Sequence, residues 1–243
     1  KTINRSVALS DTVGFVDDRI LVTYGLRKQT LKVDGWNYKG TRSAAYDESI
    51  TTPVYGIVLK PWDNVSLYAN RIEGLAQGPT APASAGGSPV ANAGEVFAPA
   101  RSKQVEAGIK YDHGTFGASL GVYRIEKPSD GYTNADNVYV RQGTQRNRGV
   151  EMNIYGEPID GLRLLAGATV MDTELRDTKN GANDGNRAIG VPKFQYNLGA
   201  DWDVPGLQGV ALNARMLRTG GQYVDGTTDI TRVWAIGTPT AAQ

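Results

Sequence analysis

Residues 103–123 read KQVEAGIKYDHGTFGASLGVY. Val105, Ala107, Ile109 and Tyr111 alternate with Gln104, Glu106 and Lys110. Beyond the residues at 112–114, Phe116, Ala118, Leu120 and Val122 alternate with Thr115, Ser119 and Tyr123. An apolar residue at every second position is a strand with one apolar face. Asp, His and Gly between the two runs supply a tight turn. The stretch is therefore a hairpin of two strands that share one apolar face.

The same pattern extends in both directions. Downstream, GVEMNIY, LRLLAGATV, FQYNLGADW and VALNARM each alternate. Upstream, INRSVAL, ILVTYGLRK, TPVYGIVLK and NVSLYANRI do so less cleanly. About ten strands of 9–13 residues are expected, and no segment carries an i, i+3, i+4, i+7 stripe. The connections alternate in length. Short turns are expected at 16–18, 61–64, 112–114, 157–161 and 205–209. Long segments are expected at 34–50, 74–100, 127–145, 175–191 and from 222 onward. Turn centres at Asp17, Trp62, His113, Ile159 and Leu207 recur at intervals of about 45–51 residues. Many long loops are unusual in a compact soluble domain. They are usual outside a bacterial membrane barrel, whose periplasmic turns are short. The expected fold is all-β: an antiparallel up-and-down transmembrane β-barrel segment with short periplasmic turns and long extracellular loops. A soluble β-repeat module of propeller type has a similar period and stands as the alternative.

Composition narrows the function. Lys+Arg 26 against Asp+Glu 25 gives +1, so no nucleic-acid partner is expected. The 243 residues hold no cysteine and one histidine, which excludes disulfide scaffolds, thiol nucleophiles and His-rich metal centres. Residues 1–20 contain no apolar core of a signal peptide, and no run approaches 18 apolar residues. His113 reads as a turn residue. NGANDGN at 180–186 reads as a flexible polar loop, because the closing Glu of a calcium loop is absent. GASLG at 117–121 lies in a strand and lacks the elbow of a catalytic serine. No enzyme, metal or resident cofactor is expected. Glu106, Glu151 and Asp201 are expected to pair with Lys110, Arg163 and Arg215 across an inner face. Tyr24, Trp36, Trp62, Tyr68, Tyr111, Tyr155, Phe194 and Trp202 lie near strand ends, as interfacial girdles do.

Several stretches resemble the C-terminal part of the barrel of TonB-dependent siderophore receptors. They are PVYGIVLKPWDNVSLYANRIEGLAQGP (53–79), FAPARSKQVEAGIKYD (97–112), FGASLGVYRIEKPS (116–129), GTQRNRGVEMNIYGEPIDGLRLLAGATVMDTEL (143–175) and GNRAIGVPKFQYNLGADWDVPGLQGVALNARMLRTGGQYVD (185–225). The resemblance covers nearly all of 10–225 in order. It implies a wall of a 22-stranded barrel, an N-terminal plug inside it, and uptake of ferric siderophores driven through TonB across the outer membrane of a Gram-negative bacterium. Residues 1–243 are expected to be a partial barrel domain without plug, TonB box, signal peptide or final strand. The tail GTTDITRVWAIGTPTAAQ does not continue the alternation. Implied partners are outer-membrane lipid, a ferric siderophore as transported ligand, and the TonB complex through the plug region. A passive porin-like pore is the other membrane alternative. Trp36, Tyr38, Tyr132, Tyr139 and Tyr223 are expected ligand contacts, as aromatics in or beside long segments.

Overall fold

The computed structural model describes residues 1–129, 131–207, 209–223 and the backbone of 232–233. Ten strands form one sheet in the order in which they occur along the chain. They are β1 (Thr2–Phe15), β2 (Ile20–Trp36), β3 (Arg42–Trp62), β4 (Val65–Ala76) and β5 (Ala100–Asp112). Then follow β6 (Phe116–Pro128), β7 (Thr144–Ile159), β8 (Leu162–Arg176), β9 (Phe194–Asp203) and β10 (Ala211–Thr219). Every neighbouring pair is antiparallel. A single sheet replaces the propeller alternative, which needs separate four-stranded blades. No helix among the described residues is long and apolar enough to cross a membrane.

Register aligns the alternation of all the strands. Val13, Val22, Ile57, Ala69, Ala107, Val122, Val150, Val170 and Phe194 pair in succession as one apolar row across β1–β9. One residue away, Thr12, Thr23, Gly56, Asn70, Glu106, Tyr123, Gly149 and Met171 pair in succession on the opposite face. A slip of one residue in any strand would exchange the two faces, so the pattern specifies the register. The apolar face has no second layer over it: Leu9 is 81% exposed, Leu120 46%, Val150 43% and Leu198 48%. Buried apolar side chains lie elsewhere, at Tyr46, Ala81, Val90, Ala188 and Tyr223, all towards the long-loop end. A soluble sheet would bury its apolar face and expose its loops. Here the order is inverted, as in a protein whose solvent at mid-height is lipid.

The short turns close as expected. At 112–114, Asp112 Oδ1 accepts the Gly114 N–H at 2.8 Å, the His113 N–H reaches Phe116 O at 3.0 Å, and Gly114 takes φ +85°. His113 lies against Tyr111 and Phe116 with ring centroids 6.3 and 5.9 Å away, an aromatic cluster at the inner rim.

Four expectations are corrected. Residues 34–50 are not a long loop: β2 and β3 continue as a hairpin whose tip is only 37–41. There Asn37 Oδ1 accepts the N–H groups of Lys39 and Thr41, each at 2.9 Å, and Gly40 takes φ +76°. Strands of up to 21 residues thus exceed the 9–13 expected. Trp36, at the outer end of β2, lies well beyond an apolar band of about 25 Å and is not a girdle residue. Tyr68 and Tyr155 face inward, since they share the parity of Glu106 and Ser119, so they are not girdle residues.

A strand rises about 3.3 Å per residue and barrel strands tilt about 40°, so each residue climbs about 2.5 Å along the membrane normal. Ala168 is six residues above Leu162 and sits near mid-span, whereas Leu164 is two above it and lies near the inner rim. In bilayers, spin labels at Leu120, Ile154 and Leu198 should report lipid, and labels at Glu151 and Asn197 should report water. The reverse pattern, or no difference, would refute the barrel. Ala168→Arg should lower stability in bilayers by about 2–4 kcal/mol, and Leu164→Arg by about 0–1 kcal/mol, read by urea titration of folded against unfolded band.

Candidate functional site

The inner face of β4–β9 encloses a groove of about 550 Å³. Its wall is polar, with Tyr68, Gln104, Glu106, Glu151, Asn153 and Gln195 among the lining residues. Glu106 accepts hydrogen bonds from the Tyr68 hydroxyl at 2.6 Å and Gln104 Nε2 at 3.0 Å. Tyr68 lies flat along the sheet because its neighbours are glycines: a Cβ on Gly108 would approach its ring to 2.8 Å, and one on Gly121 its hydroxyl to 3.0 Å. Lys110 Nζ lies 5.0 Å from the centre of the Tyr68 ring rather than on a carboxylate. Glu151 accepts from Asn153 Nδ2 at 3.0 Å, and Asp201 from Asn213 Nδ2. Arg163 pairs with Asp203 at 3.3 Å. The expected pairings of Glu106, Glu151 and Asp201 with Lys110, Arg163 and Arg215 therefore do not form among the described residues. Short amide and phenol donors on the same or neighbouring strands reach these carboxylates first. All three carboxyl groups lie on the inner face.

Above the sheet, the loops at 77–99 and 129–143 bind each other. Asn92 clamps the backbone of Tyr139: its Oδ1 accepts the Tyr139 N–H at 2.7 Å and its Nδ2 donates to Tyr139 O at 2.9 Å. The Tyr139 ring meets Phe97 edge-on at 5.7 Å, and its hydroxyl accepts the Gly131 N–H at 3.1 Å. Arg141 donates to Ala98 O. Tyr46, at the outer end of β3, accepts the Gly78 N–H at 3.0 Å and ties the first loop to the long hairpin.

The five aromatics singled out from the sequence fall into two groups. Trp36 and Tyr38 stand at the hairpin end, 58% and 93% exposed. Tyr132 is half-buried; its hydroxyl donates to Gln142 at 2.8 Å and Lys179 Nζ lies 5.6 Å above its ring. Tyr139 shares a short two-stranded pair with Tyr132, packed as just described. Tyr223 is buried, and its carbonyl accepts the Gly190 N–H at 3.0 Å. The structure brings Tyr132 and Tyr139 together and gives Tyr139 and Tyr223 loop-packing contacts. Trp36 and Tyr38 stand apart from them. Asn92, Phe97 and Lys179 were not legible as site residues, because their partners are distant in sequence.

The polar run at 180–186 is a hydrogen-bonded turn. Asp184 Oδ1 accepts from the Thr178 N–H at 2.8 Å and the Thr178 hydroxyl at 2.7 Å. The Thr178 hydroxyl oxygen in turn accepts the Asn183 N–H at 3.0 Å. The carboxylate of Asp184 is thus turned back onto its own loop.

The chain matches the family model described as TonB dependent receptor-like, beta-barrel, over residues 1–240. It is 40% identical over 220 residues to the ferrichrome receptor FcuA of Yersinia enterocolitica, covering 90% of this chain and 29% of that protein. It is 32% identical over 148 residues to the ferrioxamine B receptor of Salmonella typhimurium, covering 56% of this chain and 19% of that protein. The crystal structure of BauA, the ferric preacinetobactin receptor of Acinetobacter baumannii, superposes with a TM-score of 0.78 at 40% identity, over 92% of this chain and 33% of that one. FauA, the alcaligin receptor of Bordetella pertussis, shares the fold at 16% identity, with a TM-score of 0.73 over 90% of this chain and 37% of that one. The chain thus spans less than a third of the length of the curated relatives described.

The two Thr178 donors hold the Asp184 carboxyl below its ordinary value of 3.8. A carboxyl whose folded pKa is lowered stabilises its loop above the unfolded value, and that contribution is lost as pH falls through the folded one. Cleavage at 178–186 by an acid-active protease should therefore accelerate as pH drops below 3.8. Asp184→Asn should be cut quickly at every pH tested. A wild-type cleavage rate that does not change through this window would remove Asp184 as the loop's latch.

Proposed function

The chain belongs to the TonB-dependent receptor-like β-barrel family, and on that premise we propose that it walls a receptor that takes a ferric siderophore across the membrane with energy supplied through TonB. Its place is the outer membrane of a Gram-negative bacterium. The observation that carries the reading is the alignment with a ferrichrome receptor along 90% of the chain, together with a polar inner face. Ferrichrome and ferric preacinetobactin, named for two 40%-identical relatives, are the first ligands to test.

The inner face suits a polar plug. Glu106 and Glu151 present carboxylates to the lumen without an ion-pair partner among the described residues. Cationic groups on a plug would complement them, and the plug would be the route to the TonB complex. The chelate is cargo: this reading asks for no resident cofactor and no catalytic residue. A passive pore would need none of the loop architecture that holds Tyr132 and Tyr139 in place.

Chelates carry both apolar and hydrogen-bonding faces, which aromatic side chains with polar neighbours can grip. Trp36 and Tyr38 offer exposed rings for that purpose, and Tyr132 a half-buried one. Tyr139 and Tyr223 would act by holding the loops. In a strain that lacks the parent receptor, iron uptake from ferrichrome or ferric preacinetobactin should return with the wild-type gene and disappear again when TonB is removed. Uptake that persists without TonB would support a passive pore instead. Ala substitution of Trp36, Tyr38 or Tyr132 should weaken ferric-siderophore binding by more than about twofold, or 0.4 kcal/mol. Tyr139→Ala and Tyr223→Ala should lower loop stability as well, read by protease sensitivity. If all five variants stay within about twofold of wild type, recognition lies with the plug or other loops.

A further inference from the structure

β3 and β4 are paired for only part of their length. Their ladder runs from Trp62 and Val65 up to Tyr55 and Arg71, and stops there. Above it, β3 continues from Val54 to Arg42 against β2 alone, and β4 from Ile72 to Ala76 against β5 alone. Continued by two residues, the same register sets Pro53 opposite Glu73. Proline has no N–H to give to a ladder, and within sheets it sits at edges. Tyr55 is seven residues above Trp62, a climb of about 17 Å. The ladder therefore ends within the outer leaflet, where a free N–H is costly, and proline leaves none.

The polar groups beside this seam find their partners on their own side of it. Glu73 is buried between Arg71 at 3.0 Å and Arg101 at 3.3 Å, on β4 and β5. The buried Thr52 hydroxyl donates to Arg27 O at 3.4 Å, on β2. Lys32 pairs with Asp47 at 3.0 Å and Arg42 with Asp34, within β2 and β3. Among the described residues, the tie across the seam above the ladder is the Tyr46 hydroxyl, which accepts the Gly78 N–H at 3.0 Å, nine residues above Tyr55. The sheet is also creased where β3 leaves β4. Gly25 stands opposite both Val54 and Ser10, and a Cβ on it would come within 2.8 Å of Leu9 O. On the outward side a groove of about 430 Å³ follows the same level, with Leu9, Tyr24, Leu26 and Tyr55 in its lining.

We propose that the outer parts of β1, β2 and β3 form one leaf that swings sideways from the cap on β4–β8, bending along the line Val54–Gly25–Ser10, with the Tyr46–Gly78 bond as its latch. The inference rests on the barrel reading, and it adds to the receptor reading a mouth whose width changes. Separating two strands in lipid is ordinarily opposed by the backbone bonds that it breaks. Here the swing breaks no ladder, because Pro53 has already ended it. The leaf moves as one body because its own pairing runs unbroken from Ile20 and Leu59 up to Asp34 and Ala45. Its motion carries Trp36 and Tyr38 away from the loops that hold Tyr132 and Tyr139, and opens a slot in the wall beside Glu73.

The test measures distances between nitroxide pairs by double electron–electron resonance, in nanodiscs and without any chelate. The pair K39C/D136C spans leaf and cap, the pair K39C/T51C lies within the leaf, and the chain has no cysteine of its own to interfere. The first pair should show two distances and the second pair one. Tyr46→Phe removes the latch hydroxyl and should raise the ratio of the longer to the shorter K39C/D136C population about fivefold, the effect of one neutral hydrogen bond. The K39C/T51C distance should stay as it is. Pro53→Ala restores an N–H, so that β3 and β4 pair further and the longer population should fall; it serves if Tyr46→Phe does not fold. A K39C/D136C distribution that neither variant changes would overturn the proposal. So would broadening of K39C/T51C in step with K39C/D136C, since the ribbon would then be flexible in itself. With no chelate present, these distances stand whatever the uptake assay returns. Spin labels at Leu120 and Leu198 that report water would locate the failure in the barrel reading itself and overturn the leaf with it.

Discussion

In hydrocarbon, a backbone N–H or C=O without a partner costs several kcal/mol. That constraint explains why ten strands lie in the order in which they are made. Each strand finds its partner in the strand just formed, so nearest-neighbour hairpins satisfy the ladder with short inner turns. The side chains then divide by parity. A row such as Val122, Val150 and Val170 goes to lipid, and Tyr123, Gly149 and Met171 one residue away go to the lumen. Glycine on the inner face is a packing device here: Tyr68 can lie along the wall because Gly108 and Gly121 have no side chains.

The second consequence is a reversed distribution of packing. The membrane-spanning part has an exposed apolar face and no core of its own. The closed packing is outside, where Tyr46, Val90 and Tyr139 knit the outer hairpin and two loops together. The wall and its outer cap are thus held by different forces. Backbone pairing and lipid hold the first, and side-chain packing in water holds the second. Changes in the cap can reshape its surface while the wall keeps its register.

Period-two alternation and turn chemistry are local, and for that reason the ten strands and five short turns were legible in the sequence. The outer half of the β2–β3 hairpin was not. It lies outside the lipid, where neither face has to be apolar throughout, so VDGWNYKGTRSAAYDES carries no apolar alternation to betray it. Tyr68 was misassigned to the girdle because a tyrosine near a strand end suits either face, and only the cross-strand glycines decide. Asp203 rather than Asp201 meets Arg163; the two acids share a face, and periodicity cannot choose between them. The hydrogen bonds of Asn92 to Tyr139 span 47 residues, beyond the reach of any local signal. The five candidate aromatics were legible as loop aromatics, but not which of them would pack and which would stay free.

The β2–β3 hairpin has a further consequence for encounter. Seventeen residues in β2 climb about 42 Å, and the apolar band takes about 25 Å of that. A paired ribbon therefore stands about 17 Å clear of the lipid, stiffer than a loop of equal length. Its tip holds Trp36 and Tyr38 at a fixed standoff from the barrel mouth. The backbone at the tip is already ordered, so any contact made there would cost little chain entropy. The ribbon also sets how near a body wider than its standoff can come to the wall beside it.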